Sequence, residues 1–212
     1  MMEKNIKASF LFVFILISSL YLIEANIIPS QYKKPTVIGT ETKQPIINLP
    51  SNITIPPHSN FKFILYGHGY QIYKCSAENK TWTLVTPQAN LISDKYTQVF
   101  TPFYEVAKHY FVEEPINGGR PTWESILNGD NSRVTTKIIA TNASPDDPKR
   151  NVPWLVTQTT ANFGKGAFDD ITFIIRVNTL GGVAPSVEEC GVQYKDNELY
   201  YSEYSTDYWY YH

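Results

Sequence analysis

The sequence predicts an all-β fold, a single antiparallel sandwich or barrel-like domain with an extended N-terminal arm. Three observations lead there. In residues 171–178, Ile171, Phe173, Ile175 and Val177 take one face while Thr172, Ile174, Arg176 and Asn178 take the other, the two-residue period of a strand. Other runs rich in aromatic and β-branched residues are separated by the turn dipeptides Asn117-Gly118, Asn128-Gly129 and Gly181-Gly182. No segment of the exported part shows a helical period of comparable clarity.

Along the chain, the first element is an address. An apolar run from Leu11 to Leu22 follows Lys4 and Lys7 and precedes Ala25. It is shorter than the about 20 apolar residues of a spanning helix, so residues 1–25 are expected to be a signal peptide cleaved after Ala25. The charges lost with it cancel, which leaves the formal net charge at −2 and gives no basic field for nucleic acid. No second apolar span follows, so no transmembrane anchor is expected after cleavage. With 42% hydrophobic and 14% aromatic residues, what remains has the size and the material for one core.

Residues 26–58 carry Pro29, Pro35, Pro45, Pro50, Pro56 and Pro57. Proline lacks an amide donor and biases its predecessor toward extended backbone, so this stretch is expected to be an arm with short edge strands laid over the domain. The β domain proper is expected over residues 59–212. Its strands are predicted at 61–66, 70–75, 82–86, 95–101, 109–113, 133–141, 152–158, 171–178 and 199–211. A single helical turn capped by Thr122 is expected over 123–127.

Both cysteines, Cys75 and Cys190, fall in the exported part, where an oxidising compartment joins such a pair; two unlinked buried thiols are the alternative. Asn52, Asn79 and Asn142 each open an Asn-x-Ser/Thr glycan acceptor in a polar stretch.

The order of short motifs carries further information: Gly67-His68-Gly69-Tyr70 leading to Cys75, then Trp82 and His109, Pro121-Thr122-Trp123, Val152-Pro153-Trp154-Leu155, and the block Arg176-Val177-Asn178-Thr179-Leu180-Gly181-Gly182-Val183-Ala184-Pro185 before Cys190. This set resembles a secreted microbial family catalogued only as a domain of unknown function, many of whose fungal members bear a malate dehydrogenase label. The resemblance covers about residues 50–212 and implies no residue roles. The label has no support in the residues. Dinucleotide binding needs glycines where a strand turns into a helix, but Gly67-His68-Gly69 and Gly164-Lys165-Gly166 sit among strands without a third glycine, and both read as turns or bulges.

Three residues stand out as candidate ligand-binding groups: His109, Trp123 and Arg176. On a strand, His109 shares a face with Phe111 and Glu113, which allows an acid/base pair or a structural imidazole. A cupin-type metal site needs a second histidine where Phe111 stands, so no metal and no cofactor are expected. His68 reads as a turn cap. Arg176 sits in an apolar strand and demands a carboxylate or carbonyl partner, or an anion. Trp82, Trp154, Trp209 and the tyrosines at 200, 201, 204, 208, 210 and 211 divide between core packing and stacking surface.

The resulting expectation is a secreted, noncatalytic, extracellular or cell-surface binding protein for a small molecule or carbohydrate, with a pocket near Trp123, His109 and Arg176. Two alternatives stand beside it: a secreted hydrolase-type enzyme using His109 and Glu113, and a structural coat or matrix component.

Overall fold

Strand alternation closes on itself in the computed structural model, which describes residues 35–55, 57–95 and 104–212. The strands are β1 (Phe61–Ser76), β2 (Thr81–Ile92), β3 (Glu105–Ile116), β4 (Gly119–Ser125), β5 (Arg133–Asn142), β6 (Trp154–Phe163), β7 (Phe173–Gly181) and β8 (Leu199–Tyr211). Each pairs antiparallel with the next, and β8 returns to β1 to form a closed barrel. Full closure leaves no sheet edge along the seam, which runs from Phe61↔Tyr211 to Lys74↔Leu199. Asn117 and Gly118, at φ 49° and 81°, form the two-residue turn that joins β3 to β4, the geometry their sequence favours.

Register assigns the inward face. Leu65 lies opposite Tyr208, Ile174 opposite Tyr210, and Trp123 opposite both His109 and Val134. Phe63, Leu65, Trp123, Val134, Ile174, Tyr208 and Tyr210 therefore share one buried cluster, to which Phe168 of the β6–β7 connection belongs. Asp130 fastens that end of the barrel, its carboxylate accepting from the Ser132 amide at 2.9 Å and the Ala167 amide at 3.0 Å.

The outward face is buried too along the last part of β8. Trp209 and Tyr211 pack with Ile64, Trp154 and Ile175, and Ile47, Leu49 and Ile53 of the arm lie against them. Both faces of residues 208–211 are thus removed from water, which accounts for the aromatic run there. The arm does this without strands. Between residues 35 and 60 the described residues form none, because the prolines remove donors and the remaining polar groups bond singly, as in Gly39 N–H to Ser93 Oγ at 3.0 Å and Ile64 N–H to the Glu41 carbonyl at 3.1 Å.

Other expectations are corrected as well. Residues 61–66 and 70–75 are one strand, and Gly67-His68-Gly69 is its middle, not a turn. A Cβ on Gly67 would meet the Tyr208 ring and one on Gly69 the Gln88 carbonyl, so the glycines make room for aromatic filling and a neighbouring strand. Trp123 lies in β4, not in a helical turn, since its pairing with His109 and Val134 satisfies its backbone. The strand expected at 95–101 lies, but for Lys95, outside the described residues. Gly164-Lys165-Gly166 is a turn, and its amides are occupied: Lys165 N–H donates to Asn131 Oδ1 at 2.7 Å and Gly166 N–H to Asp169 Oδ2 at 3.3 Å.

Cys75 of β1 and Cys190 of the β7–β8 connection are joined in a disulfide, with Cα atoms 5.5 Å apart. The bond clips that connection over the far end of the β1–β2 hairpin. Trp82 Nε1 donating to the Ser186 carbonyl at 3.1 Å and Ala77 N–H donating to Asp196 Oδ1 at 2.9 Å add to it. Because the bridge spans 115 residues of sequence, replacing both cysteines by serine is expected to lower unfolding stability by about 4 to 5 kcal/mol in the chain-entropy account. Chemical denaturation of the two proteins measures it; a loss below about 1 kcal/mol would contradict that account.

Candidate functional site

The β3–β4 register places His109 directly across from Trp123, and their rings stack with centroids 4.2 Å apart and planes 11° from parallel. Tyr208 of β8 meets both edge-on, at 5.2 Å from His109 and 5.3 Å from Trp123. The three rings form the floor of a cavity of about 70 Å³ in the lumen. Its walls are Gln71 of β1, Pro87 of β2, Phe111 of β3, Pro121 of β4, Ile138 of β5, Leu155 and Thr157 of β6 and Arg176 of β7. The structure therefore brings His109, Trp123 and Arg176 together.

His109 is 4% exposed. A carbonyl can only accept, so the 2.9 Å contact between Nδ1 and the Thr122 oxygen fixes the proton on Nδ1 and leaves Nε2 bare. Burial opposes a second proton and lowers the pKa from 6.5 to about 3; the Thr122 carbonyl resists this in part, and the charge of Arg176 adds to it. The ring is neutral at every physiological pH.

Arg176 is half-buried, and its inward direction follows from its pairing with Leu155 and Tyr208. Nε and Nη2 both donate to the Pro153 carbonyl, at 3.1 and 2.7 Å. No carboxylate lines the cavity. The same guanidinium opposes the burial-driven rise in the pKa of the Tyr73, Tyr204 and Tyr208 phenols. Tyr204 and Tyr208 share a buried hydroxyl contact of 3.1 Å.

Gln71 and Tyr208 carry as much of the site as the three residues singled out from sequence. Gln71 is 2% exposed, and its side-chain amide is directed to the Tyr204 phenol, where it opposes the burial-driven rise in pKa. Its sequence signal was its phase: in one uninterrupted strand it falls on the face of Phe63 and Leu65, a relation hidden when the strand is divided at Gly67.

The remaining residues of interest lie elsewhere. Glu113 is exposed, and the His109 ring bonds to a backbone carbonyl instead of to a carboxylate. His68 does not cap a turn; it sits on the strand exterior, where its Nε2 is 2.9 Å from Glu203 Oε1 across the β1–β8 seam. Asn52 and Asn79 are exposed and Asn142 is partly so. Trp154 and Trp209 are core, whereas Trp82 packs edge-on against Tyr194 at the disulfide-clipped end. Among the described residues, no three His, Cys, Asp or Glu side chains are grouped to hold a metal, and no helix is long and apolar enough to cross a membrane.

Two outcomes follow from these geometries. Arg176→Met removes both donors from the carbonyl of the exposed Pro153, which water can then serve, and is expected to cost about 0.5 to 1.5 kcal/mol in chemical denaturation; an unchanged midpoint would make the contact dispensable. For His109, the unfolded chain takes a proton near pH 6.5 and the folded protein only near pH 3. Between those values acid favours unfolding, so the contribution is intact above pH 6.5 and is lost progressively as pH falls toward 3. At pH 5 the loss is roughly 2 kcal/mol. His109→Phe keeps a ring on Trp123 and is expected to flatten the decline between pH 7 and pH 5; an unflattened decline would assign it to other groups.

A family model described as "Protein of unknown function (DUF3455)" matches residues 56–212, the whole barrel. No curated protein and no solved structure matches the chain.

Proposed function

The chain belongs to that family of unknown function, and we propose that it is an exported, noncatalytic binding protein that holds a small ligand in the lumen of its barrel. The observation that carries the reading is the cavity itself. Elsewhere the lumen is filled by Phe63, Leu65, Phe168 and Tyr210, but beside the His109–Trp123 stack the packing stops and a charged arginine lines the space. A barrel of this size has room for one small ligand when its interior is not filled by side chains. Export rests on the Leu11–Leu22 run with its flanking residues, and a disulfide suits the oxidising compartment it leads to. Exposure of Asn52 and Asn79 suits them as glycan acceptors.

The hydrolase reading with His109 and Glu113 has less behind it. A general base works best with a pKa near the working pH and a carboxylate or similar group to orient it; His109 has a pKa of about 3, and its Nδ1 is committed to the Thr122 carbonyl. The coat or matrix reading draws on the exterior, where the half-exposed rings of Tyr70 and Tyr201 meet edge-on at 6.0 Å. A carbohydrate partner would use that pair, because the facing planes of His109 and Trp123 already cover each other.

Native mass spectrometry of the secreted protein tests the reading. Wild-type protein is expected to retain a small molecule at one per chain. Ile138→Trp, at a rim position 53% exposed, is expected to fold normally and lose it. A wild-type mass with nothing bound, or equal retention by the variant, would contradict binding in this cavity.

A further inference from the structure

Resting on that reading, we infer that the lumen cavity takes a flat organic acid bearing one carboxylate, held with the carboxylate inward on Arg176. Charge is the first ground. Among the described residues, Arg176 is the one formally charged side chain in the cavity's walls, and no Asp or Glu lines it. Its two bonds to the Pro153 carbonyl fix the guanidinium plane and use only part of its five-donor fork. A half-buried cation whose partners are a carbonyl and the Tyr208 phenol, with no carboxylate, gains from an anion, and a planar fork suits a carboxylate.

Hydrogen-bond accounting is the second ground. One donor of a lining residue, Trp123 Nε1, is buried without a hydrogen-bond partner, while the Gln71 amide is directed to the Tyr204 phenol. Trp123 is 1% exposed, so bulk water does not serve it. A lining with an unmet donor calls for a ligand that brings acceptors. Among the described residues Arg176 is the one cation that lines the cavity, so the end of the ligand held there carries a single anionic group.

Shape is the third. The enclosed space, about 70 Å³, admits a carboxylate and the first atoms of its body, while the rest lies against Pro87, Phe111 and Pro121. A way out is present beside those residues. The β2–β3 ladder begins at Ala89↔His109, and toward the cavity's mouth only Phe111 N–H donating to Thr86 Oγ1 at 2.9 Å joins the two strands. The groove between them is lined by Pro87, His109 and Phe111, which also line the cavity, and farther along by Gln88, Lys108 and Glu105, whose carboxylate accepts from Asn90 Nδ2 at 2.7 Å. The body of a longer acid has an apolar path that ends at polar side chains.

The test is isothermal titration calorimetry of the full secreted chain, freed of retained ligand, with benzoate, its neutral isostere benzamide and the dianion isophthalate at low salt. Benzoate is expected to bind one per chain and at least tenfold more tightly than either competitor. In Arg176→Met that preference is expected to vanish, and the comparison of isosteres on wild-type protein stands even where the variant does not fold. Benzamide binding as tightly as benzoate, or isophthalate binding more tightly, overturns the single-carboxylate assignment and leaves cavity binding standing. No binding of any probe by a protein that retains a small molecule in native mass spectrometry overturns the acid assignment alone; no probe bound and nothing retained overturns both.

Discussion

Pairing of β8 with β1 is the constraint on which the rest of the structure depends. It converts a sheet of sequential hairpins into a closed wall, and only a closed wall has an inside. Tyr204, Thr206, Tyr208 and Tyr210 enter the lumen because their partners Gly69, Gly67, Leu65 and Phe63 do. A slip of one residue would send Trp209 and Tyr211 inward and strand the Tyr204–Tyr208 hydroxyl pair outside. Two features oppose such a slip: β1 has no room for a side chain at Gly67, beside the Tyr208 ring, or at Gly69, beside the Gln88 carbonyl, and the arm covers the apolar outer face of β8.

The lumen then divides into two parts with different chemistry. Toward the end fastened by Asp130, aromatic and aliphatic side chains fill the space. Toward the other, Gln71, His109, Tyr208 and Arg176 replace them, and packing is incomplete. Polar groups in a barrel interior are costly unless paired, so their concentration beside this cavity, among the described residues, sets it apart from the filled end of the lumen. His109 is kept neutral by burial and fixed in place by the Thr122 carbonyl, so in this arrangement it shapes the floor while Arg176 supplies the charge. Of the two glycine pairs, Gly67 and Gly69 lie mid-strand, and Gly164 and Gly166 sit in a turn whose amides bond to Asn131 and Asp169.

Much of this was legible in the residues. The alternation in 171–178 placed Arg176 and Ile174 on one face, and β8 spans Leu199–Tyr211 as its pattern indicates. The Asn117-Gly118 turn was readable because both residues tolerate positive φ. What escaped has physical reasons. β1 was divided at Gly67-His68-Gly69 because glycine signals a turn locally, whereas here its smallness answers Tyr208, a residue over a hundred positions away. The arm's lack of strands, and the burial of both faces of β8, depend on tertiary contacts that carry no periodic signature. Gln71 was invisible as a site residue for the same reason, since its amide meets the Tyr204 phenol only once the barrel has closed.

The most direct measurement of the central claim is a crystal structure of the protein purified from its native source, solved without added ligand. The account predicts ordered density in the lumen beside Pro87, Phe111 and Pro121, in contact with the guanidinium of Arg176. An ordered cavity holding water alone, with Arg176 bonded as before to the Pro153 carbonyl, would contradict it.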